Sequence, residues 1–285
     1  PQTSAFLIHT DREHLMFRRL TKPAWASAIG RDRFGLWCEI AVEPERGGEA
    51  VIQRLRWIPP GQFWMGSPEE ETRGLAKNDD ERKWFERERP RHLVTLTEGY
   101  WLFDTPCTQA LWEAVMEKNP SRFQSPARPV EQVSWDDVQS FVGKINGRIA
   151  DLNLTLPSEA QWEHACRAGT ETAIYTGDLV ILGQNNAPAL DPIAWYGGNS
   201  GVDFDLGNGY DSSGWSEKQY PHTKAGTHPV KLKQANPWGL YDMLGNVWEW
   251  CQDDMRNYDE NAQVNPMGSL EADAFRVLRG GSWNG

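Results

Sequence analysis

The chain has 285 residues, 39% hydrophobic and 24% charged, with a formal net charge of -11. That length admits one large domain or two small ones, each with a sizeable core. The charge argues against a nucleic-acid backbone as ligand, which needs a dense basic surface, and no apolar run approaches the roughly 18 residues that cross a bilayer.

Residues 1 to about 34 have mixed polarity without a clean period, and are expected to form an N-terminal arm or the remnant of a linker to an upstream domain. The chain opens on Pro1 with no basic-then-apolar leader, and its last residues read as the middle of a motif, so a fragment of a longer protein is expected. A hairpin follows. Leu36, Cys38, Ile40 and Val42 alternate with Trp37, Glu39 and Ala41, residues 45–48 turn, and residues 51–58 return as a second strand until Pro59 and Pro60 end it. A short strand is expected at 63–67, a charged loop over roughly 68–91 and a strand at 92–97. The loop is long for a compact domain, which makes it functional or mobile. Its basic residues, Arg82, Lys83, Arg87, Arg89 and Arg91, are interleaved with Glu81, Glu86 and Glu88, the pattern of a solvated, salt-bridged face.

Three helices are predicted next. The first covers about 107–118, where Leu111, Val115 and Met116 make an apolar face and Asn119-Pro120 stops it. The second covers 134–150 and opens with a capping-box start at Ser134, with Val138, Phe141, Val142 and Ile145 as its buried stripe. The third covers 158–168, from Ser158 to a stop at Gly169. From about 170 to the end scarcely a helix-period segment remains, and loops between short antiparallel strands are expected. Fifteen tryptophans, 26 glycines and 18 prolines fit such a loop-rich fold, because irregular backbone needs large amphipathic side chains to pin it. The four cysteines, Cys38, Cys107, Cys166 and Cys251, are widely separated and sit among apolar residues. They read as small buried hydrophobes in a reducing, cytoplasmic setting.

Five separated segments then match one family in order: residues 57–67 (WIPPGQFWMGS), 129–135 (PVEQVSW), 156–163 (LPSEAQWE), 236–250 (NPWGLYDMLGNVWEW) and 279–283 (RGGSW). The chain resembles the formylglycine-generating enzyme (sulfatase-modifying factor) family, over about residues 50–285. The resemblance implies an α+β fold of the C-type-lectin-like kind, occupying residues 35–285 and cut short within its C-terminal motif.

The resemblance also implies a calcium ion held by the side chains of Asp242 and Glu249 and the carbonyls of Gly245 and Val247. Clustered oxygen donors suit a hard cation that takes six to eight oxygens; the bland alternative is that the two carboxylates only bind loop amides. A second calcium loop would fall near residues 192–197, but there Ile193 offers no ligand atom. The family's oxidases use two cysteine thiolates for Cu(I), one of them two residues after the aromatic residue of the Gly-Gly-Ser-aromatic motif. Here that position is Gly285, which has no ligand atom, so copper is not expected. His164, His222 and His228 are scattered without ligand spacing.

Three functions follow from the resemblance. A non-catalytic relative would hold a protein or other macromolecular ligand on its lectin-like surface, as the variable proteins of diversity-generating retroelements do, with Trp283 and Asn284 at the binding rim; Trp283 as one more core tryptophan is the plainer alternative. A copper-dependent oxidase would convert a sulfatase cysteine to formylglycine. An iron-dependent sulfoxide synthase of the ergothioneine type would need a further helical domain bearing histidine ligands.

Overall fold

A computed structural model describes residues 6–9, 14–17, 20–73, 75, 79–268 and 275–285. In chain order the strands are β1 (Phe6–His9), β2 (His14–Phe17), β3 (Ala28–Asp32), β4 (Gly35–Val42), β5 (Val51–Ile58), β6 (Gly61–Met65), β7 (His92–Leu96), β8 (Tyr100–Phe103), β9 (Tyr210–Asp211), β10 (Lys224–Ala225), β11 (Glu249–Asp254), β12 (Gln263–Val264) and β13 (Arg276–Arg279). The α-helices are α1 (Glu69–Thr72), α2 (Asp79–Glu86), α3 (Gln109–Met116), α4 (Trp135–Arg148) and α5 (Glu159–Arg167).

The hairpin read from the sequence is the centre of the largest sheet, ordered β3-β4-β5-β8. Alternation in β4 puts Leu36, Cys38, Ile40 and Val42 on the buried face, as period-2 geometry requires. Val42 faces Val51 across the turn, and β3 extends the sheet by pairing antiparallel with β4. This strand lies within the stretch expected to be an arm. The side chains of the first nineteen residues lie outside the described ones.

Helices α3 and α4 cover one face of this sheet. Ile40, Val42 and Leu55 pack against Leu111, Trp112, Val115, Phe141 and Ile145, and the Trp112 and Phe141 rings stack with centroids 5.1 Å apart. The helix starts are built as the sequence predicts. The Thr108 side chain caps α3, and full capping boxes link Ser134 with Asp137 and Ser158 with Gln161, each satisfying backbone donors that a helix start leaves unpaired. Glu117 and Ala168 end α3 and α5 in the left-handed conformation.

Helix α5 joins the other two cores. Its Ala160 packs on β6 and β7 with Phe63, Met65, Val94 and Leu96. Its Trp162, Ala165 and Cys166 pack with Ile58, Ile174, Tyr175, Ile193, Trp238, Leu240, Met243 and Cys251. The charged segment 68–91, expected as a loop, carries α1 and α2. Three glutamates stand in the first turn of α1, where the helix dipole favours negative charge, and Arg73–Glu69 and Arg82–Asp79 ion pairs brace α1 and α2.

After residue 170 the described chain holds one 3-10 turn (Pro188–Leu190) and short strands. Buried asparagines replace the missing ladders. Asn236 donates to the carbonyls of Ala165 and Cys166 and accepts from the N–H groups of Trp238 and Leu240, which is how buried loop backbone stays satisfied. The outcome is a mixed α+β, loop-rich fold of short, mostly antiparallel strands, as the sequence implies.

Candidate functional site

The loop from residue 242 to 249 runs between two other segments of backbone. Gly245 N–H donates to the Gly280 carbonyl at 2.8 Å, and Asn246 N–H to the Trp195 carbonyl at 2.7 Å. Gly245 has φ 74°, and a Cβ there would lie 2.2 Å from the Trp195 oxygen, so only glycine fits the crossing. Asn246 is also left-handed and fully buried, and its side chain bridges both backbone polar groups of His228 and reaches the Asp242 carboxylate.

Asp242 is 1% exposed. Its carboxylate accepts from Lys231 N–H at 2.9 Å and from the Asn246 amide at 3.2 Å, yet burial pushes its pKa up to about 6. Glu249 accepts from the Trp162 indole N–H at 2.6 Å. Burial, and then the Asp242 charge, push the Glu249 carboxyl up to about 7. The nearby lysine is committed elsewhere, Lys231 Nζ lying 2.7 Å from Asp104. The Gly245 carbonyl accepts from Val247 N–H at 2.8 Å and keeps a second lone pair.

These four residues are therefore one tight loop in which the Asp242 charge disfavours ionisation of Glu249. A hard cation would relieve that repulsion, and the donor set fits calcium in kind. Among the described residues no group of three or more His, Cys, Asp or Glu side chains converges, so carbonyl oxygens would supply much of the coordination shell.

The loop near residues 192–197, where Ile193 already argued against a second calcium ion, is closed by protein groups. Ile193 is fully buried in the core. Asn199 donates to Asp191 and to the Ala194 carbonyl and accepts from Tyr196 N–H. Lys233 brings its ammonium to the Asp191 carbonyl at 2.5 Å, with Nζ 4.0 Å from the Trp195 ring centroid. A positive charge in this loop is thus supplied by the chain itself.

A third region lies beside the first. Trp283 N–H donates to the Asn246 carbonyl at 3.1 Å, which ties the Arg-Gly-Gly-Ser-Trp segment to the acidic loop. The Trp283 ring is half-buried in an aromatic group: Phe123 lies edge-on at 5.3 Å, Trp215 stacks at 5.9 Å and Tyr210 sits at 5.8 Å. Arg122 lies over both Phe123 and Tyr210. Tyr210 and Asn284 are exposed, and Ser282 Oγ donates to Asn284 Oδ1 at 2.6 Å. Trp283 is neither a core tryptophan nor a free one; it is the inner wall of a surface aromatic patch. Sequence reasoning did not find Phe123, Tyr210 or Trp215, because they come from distant loops with no period to align them.

The four cysteines are all unpaired thiols. Burial pushes the thiols of Cys38, Cys107 and Cys166 up to about 12, and that of Cys251 well above its ordinary value, so none offers a ready thiolate. The histidines do not converge. His164 lies against the Pro59 carbonyl, His222 pairs with Ser212, and His228 stacks on Trp195 with Nε2 on the Ser200 carbonyl. Among the described residues no helix is long and apolar enough to cross a membrane.

Residues 43–285 match the sulfatase-modifying factor enzyme 1-like domain. The chain is 31% identical over 198 residues to the formylglycine-generating enzyme of Thermomonospora curvata, covering 67% of this chain and 55% of that enzyme. It is 32% identical over 166 residues to the formylglycine-generating enzyme of Streptomyces coelicolor, covering 55% of this chain and 43% of that enzyme. The chain thus spans about half the length of these two enzymes. Among solved structures, Treponema denticola variable protein 1 superposes with a TM-score of 0.59 at 26% identity, covering 87% of this chain and 88% of that one.

Proposed function

The chain belongs to the sulfatase-modifying factor enzyme 1-like family, and on that premise we propose that it is a non-catalytic member whose aromatic rim binds a macromolecular ligand, most readily another protein. The observation that carries this reading is the patch built by Trp283, Trp215 and Tyr210, with exposed Asn284 beside it. Rigid aromatic rings flanked by small polar side chains supply contact area at low entropic cost, the composition of adaptable binding surfaces. The likeness to Treponema denticola variable protein 1 supports a display role of the diversity-generating retroelement type. Asn284 is exposed beside a backbone that Asn246 fixes at Trp283, so its side chain can change without disturbing the core.

The acidic loop supports the rim from below. Asp242, Glu249 and the carbonyls of Gly245 and Val247 would hold one calcium ion, whose contribution is to neutralise two buried carboxylates and lock the loop that anchors Trp283. The alternative, a copper-dependent oxidase acting on a sulfatase cysteine, is supported by the formylglycine-generating enzyme relatives. It is opposed by Gly285 at the expected thiolate position and by the buried, protonated state of the four thiols present. The unpaired thiols also fit a reducing, cytoplasmic setting.

A photocrosslinking amino acid at position 284 tests the rim. Irradiated in native extract, it is expected to give a discrete adduct that the same label at exposed Val180, on another loop, does not give. Loss of the adduct in Trp215→Ala supports the patch, and equal labelling from both positions overturns it.

A further inference from the structure

A cavity of 730 Å³ opens between α2, α5 and the β11–β13 pair. Five arginines and three glutamates line it, a local positive excess in a chain of net charge -11. The pairing inside it is uneven. Glu163 is taken by Arg167 at 2.8 Å and by Arg279, whose guanidinium also faces Glu159 at 3.9 Å. Glu88 accepts from the Ser67 hydroxyl at 2.6 Å. Two guanidinium N–H groups, Arg256 Nη2 and Arg279 Nε, are buried with no hydrogen-bond acceptor.

Buried donors on a cation are costly to leave unmade, and an oxyanion is their natural partner. The lining of the cavity is also apolar and aromatic. Trp84, 62% exposed, and Phe85 project from α2, and Tyr258 lies near Glu159. An exposed tryptophan standing over an arginine-lined hollow has little to gain from water and much from a ring.

We infer that this cavity binds a small aromatic organic anion, its acid group accepting from Arg256 and Arg279 and its ring lying against Trp84 and Phe85. The cavity borders the rim segment at Gly280 and Gly281, but neither Trp283 nor Asn284 lines it, and the inference does not depend on the display reading. Concave shape, apolar walls and a few convergent charged groups are the ordinary attributes of a small-molecule site, and the charge on Arg256 selects an acid over a neutral ring.

Titration calorimetry with naphthalene-2-sulfonate tests it, with neutral naphthalene-2-methanol as the matched probe. Saturable binding of the sulfonate is expected, at least about tenfold tighter than the alcohol, because a hydrogen bond to a charged group is worth that much. Arg256→Gln removes the charge but leaves a polar side chain, and is expected to lose about tenfold for the sulfonate while leaving the alcohol unchanged. Trp84→Ala, at an exposed position, is expected to weaken both probes without altering the melting temperature. Equal affinity for sulfonate and alcohol, unchanged sulfonate affinity in folded Arg256→Gln, or no saturable sulfonate binding would each overturn the inference.

Discussion

Replacing Asn246 with alanine should be among the most damaging single changes in the protein. The side chain accepts from His228 N–H at 3.0 Å and donates to the His228 carbonyl at 3.1 Å and the Asp242 carboxylate at 3.2 Å. Water cannot take over, because Asn246, His228 and Asp242 are 0%, 2% and 1% exposed. Stranding a buried donor or acceptor costs about 1–3 kcal/mol, so losing these three contacts costs roughly 3–6 kcal/mol. Position 246 also has φ 61°, which asparagine tolerates better than alanine, adding on the order of 1 kcal/mol. Set against a total stability of about 5–15 kcal/mol, the change removes a large fraction. Urea unfolding followed by tryptophan fluorescence measures it, and a fall in melting temperature of roughly 10 °C or more is expected at this chain length. Asn246→Gly relieves the backbone strain alone and should recover only about 1 kcal/mol. An alanine variant within about 1 kcal/mol of the parent, or a glycine variant matching it, would refute the reasoning.

The acidic loop makes a pH prediction. The folded pKa values of Asp242 and Glu249 are raised to about 6 and about 7, so the folded state holds their protons more tightly than the unfolded one. Without a cation their contribution is lost as pH rises from about 4 to about 7, by up to roughly 3 kcal/mol each. In chelator at pH 8, Glu249→Gln should therefore be more stable than the parent; in excess calcium the order should reverse, and a parent melting curve identical in calcium and chelator would exclude the ion. His228, pushed down to about 4 by burial, works the other way. Its neutral form is the folded one, so stability should fall as pH drops from about 6.5 toward 4, a loss that His228→Gln should blunt in acid melts. Lys233→Met removes the ammonium from the Asp191 carbonyl and the Trp195 ring and loosens the 191–199 loop, at an expected cost of about 1–2 kcal/mol in urea unfolding that added calcium does not restore.

Much of the scaffold was legible because it obeys local rules. The alternation in β4, the capping residues Ser134 and Ser158 and the stop at Gly169 each report a short-range geometry that a few neighbouring residues determine. The charged stretch 68–91 was misleading for the same reason: its helices α1 and α2 carry no buried stripe long enough to register as a period, and their side-chain pairs are surface ion pairs. The site divides likewise. Asp242, Gly245, Val247 and Glu249 could be named because they lie within one motif. Trp283 and Asn284 could be named, but not Tyr210, Trp215 and Phe123, which meet them only through the folding of loops that asparagine side chains hold in place. Lys233, standing where a second cation was in question, has no sequence signal at all, since its partner Asp191 is reached only in three dimensions.

Copper chemistry is the sharpest divide between a display domain and an oxidase. The protein, given Cu(I), oxygen and a cysteine-containing sulfatase peptide, can be followed by peptide mass spectrometry, with copper retention measured on the same sample. A display domain leaves the peptide thiol intact and retains no stoichiometric copper, because Gly285 supplies no thiolate and the thiols of Cys38, Cys107, Cys166 and Cys251 are held protonated by burial. Conversion of the peptide cysteine to the aldehyde would contradict the binding role and establish an enzyme.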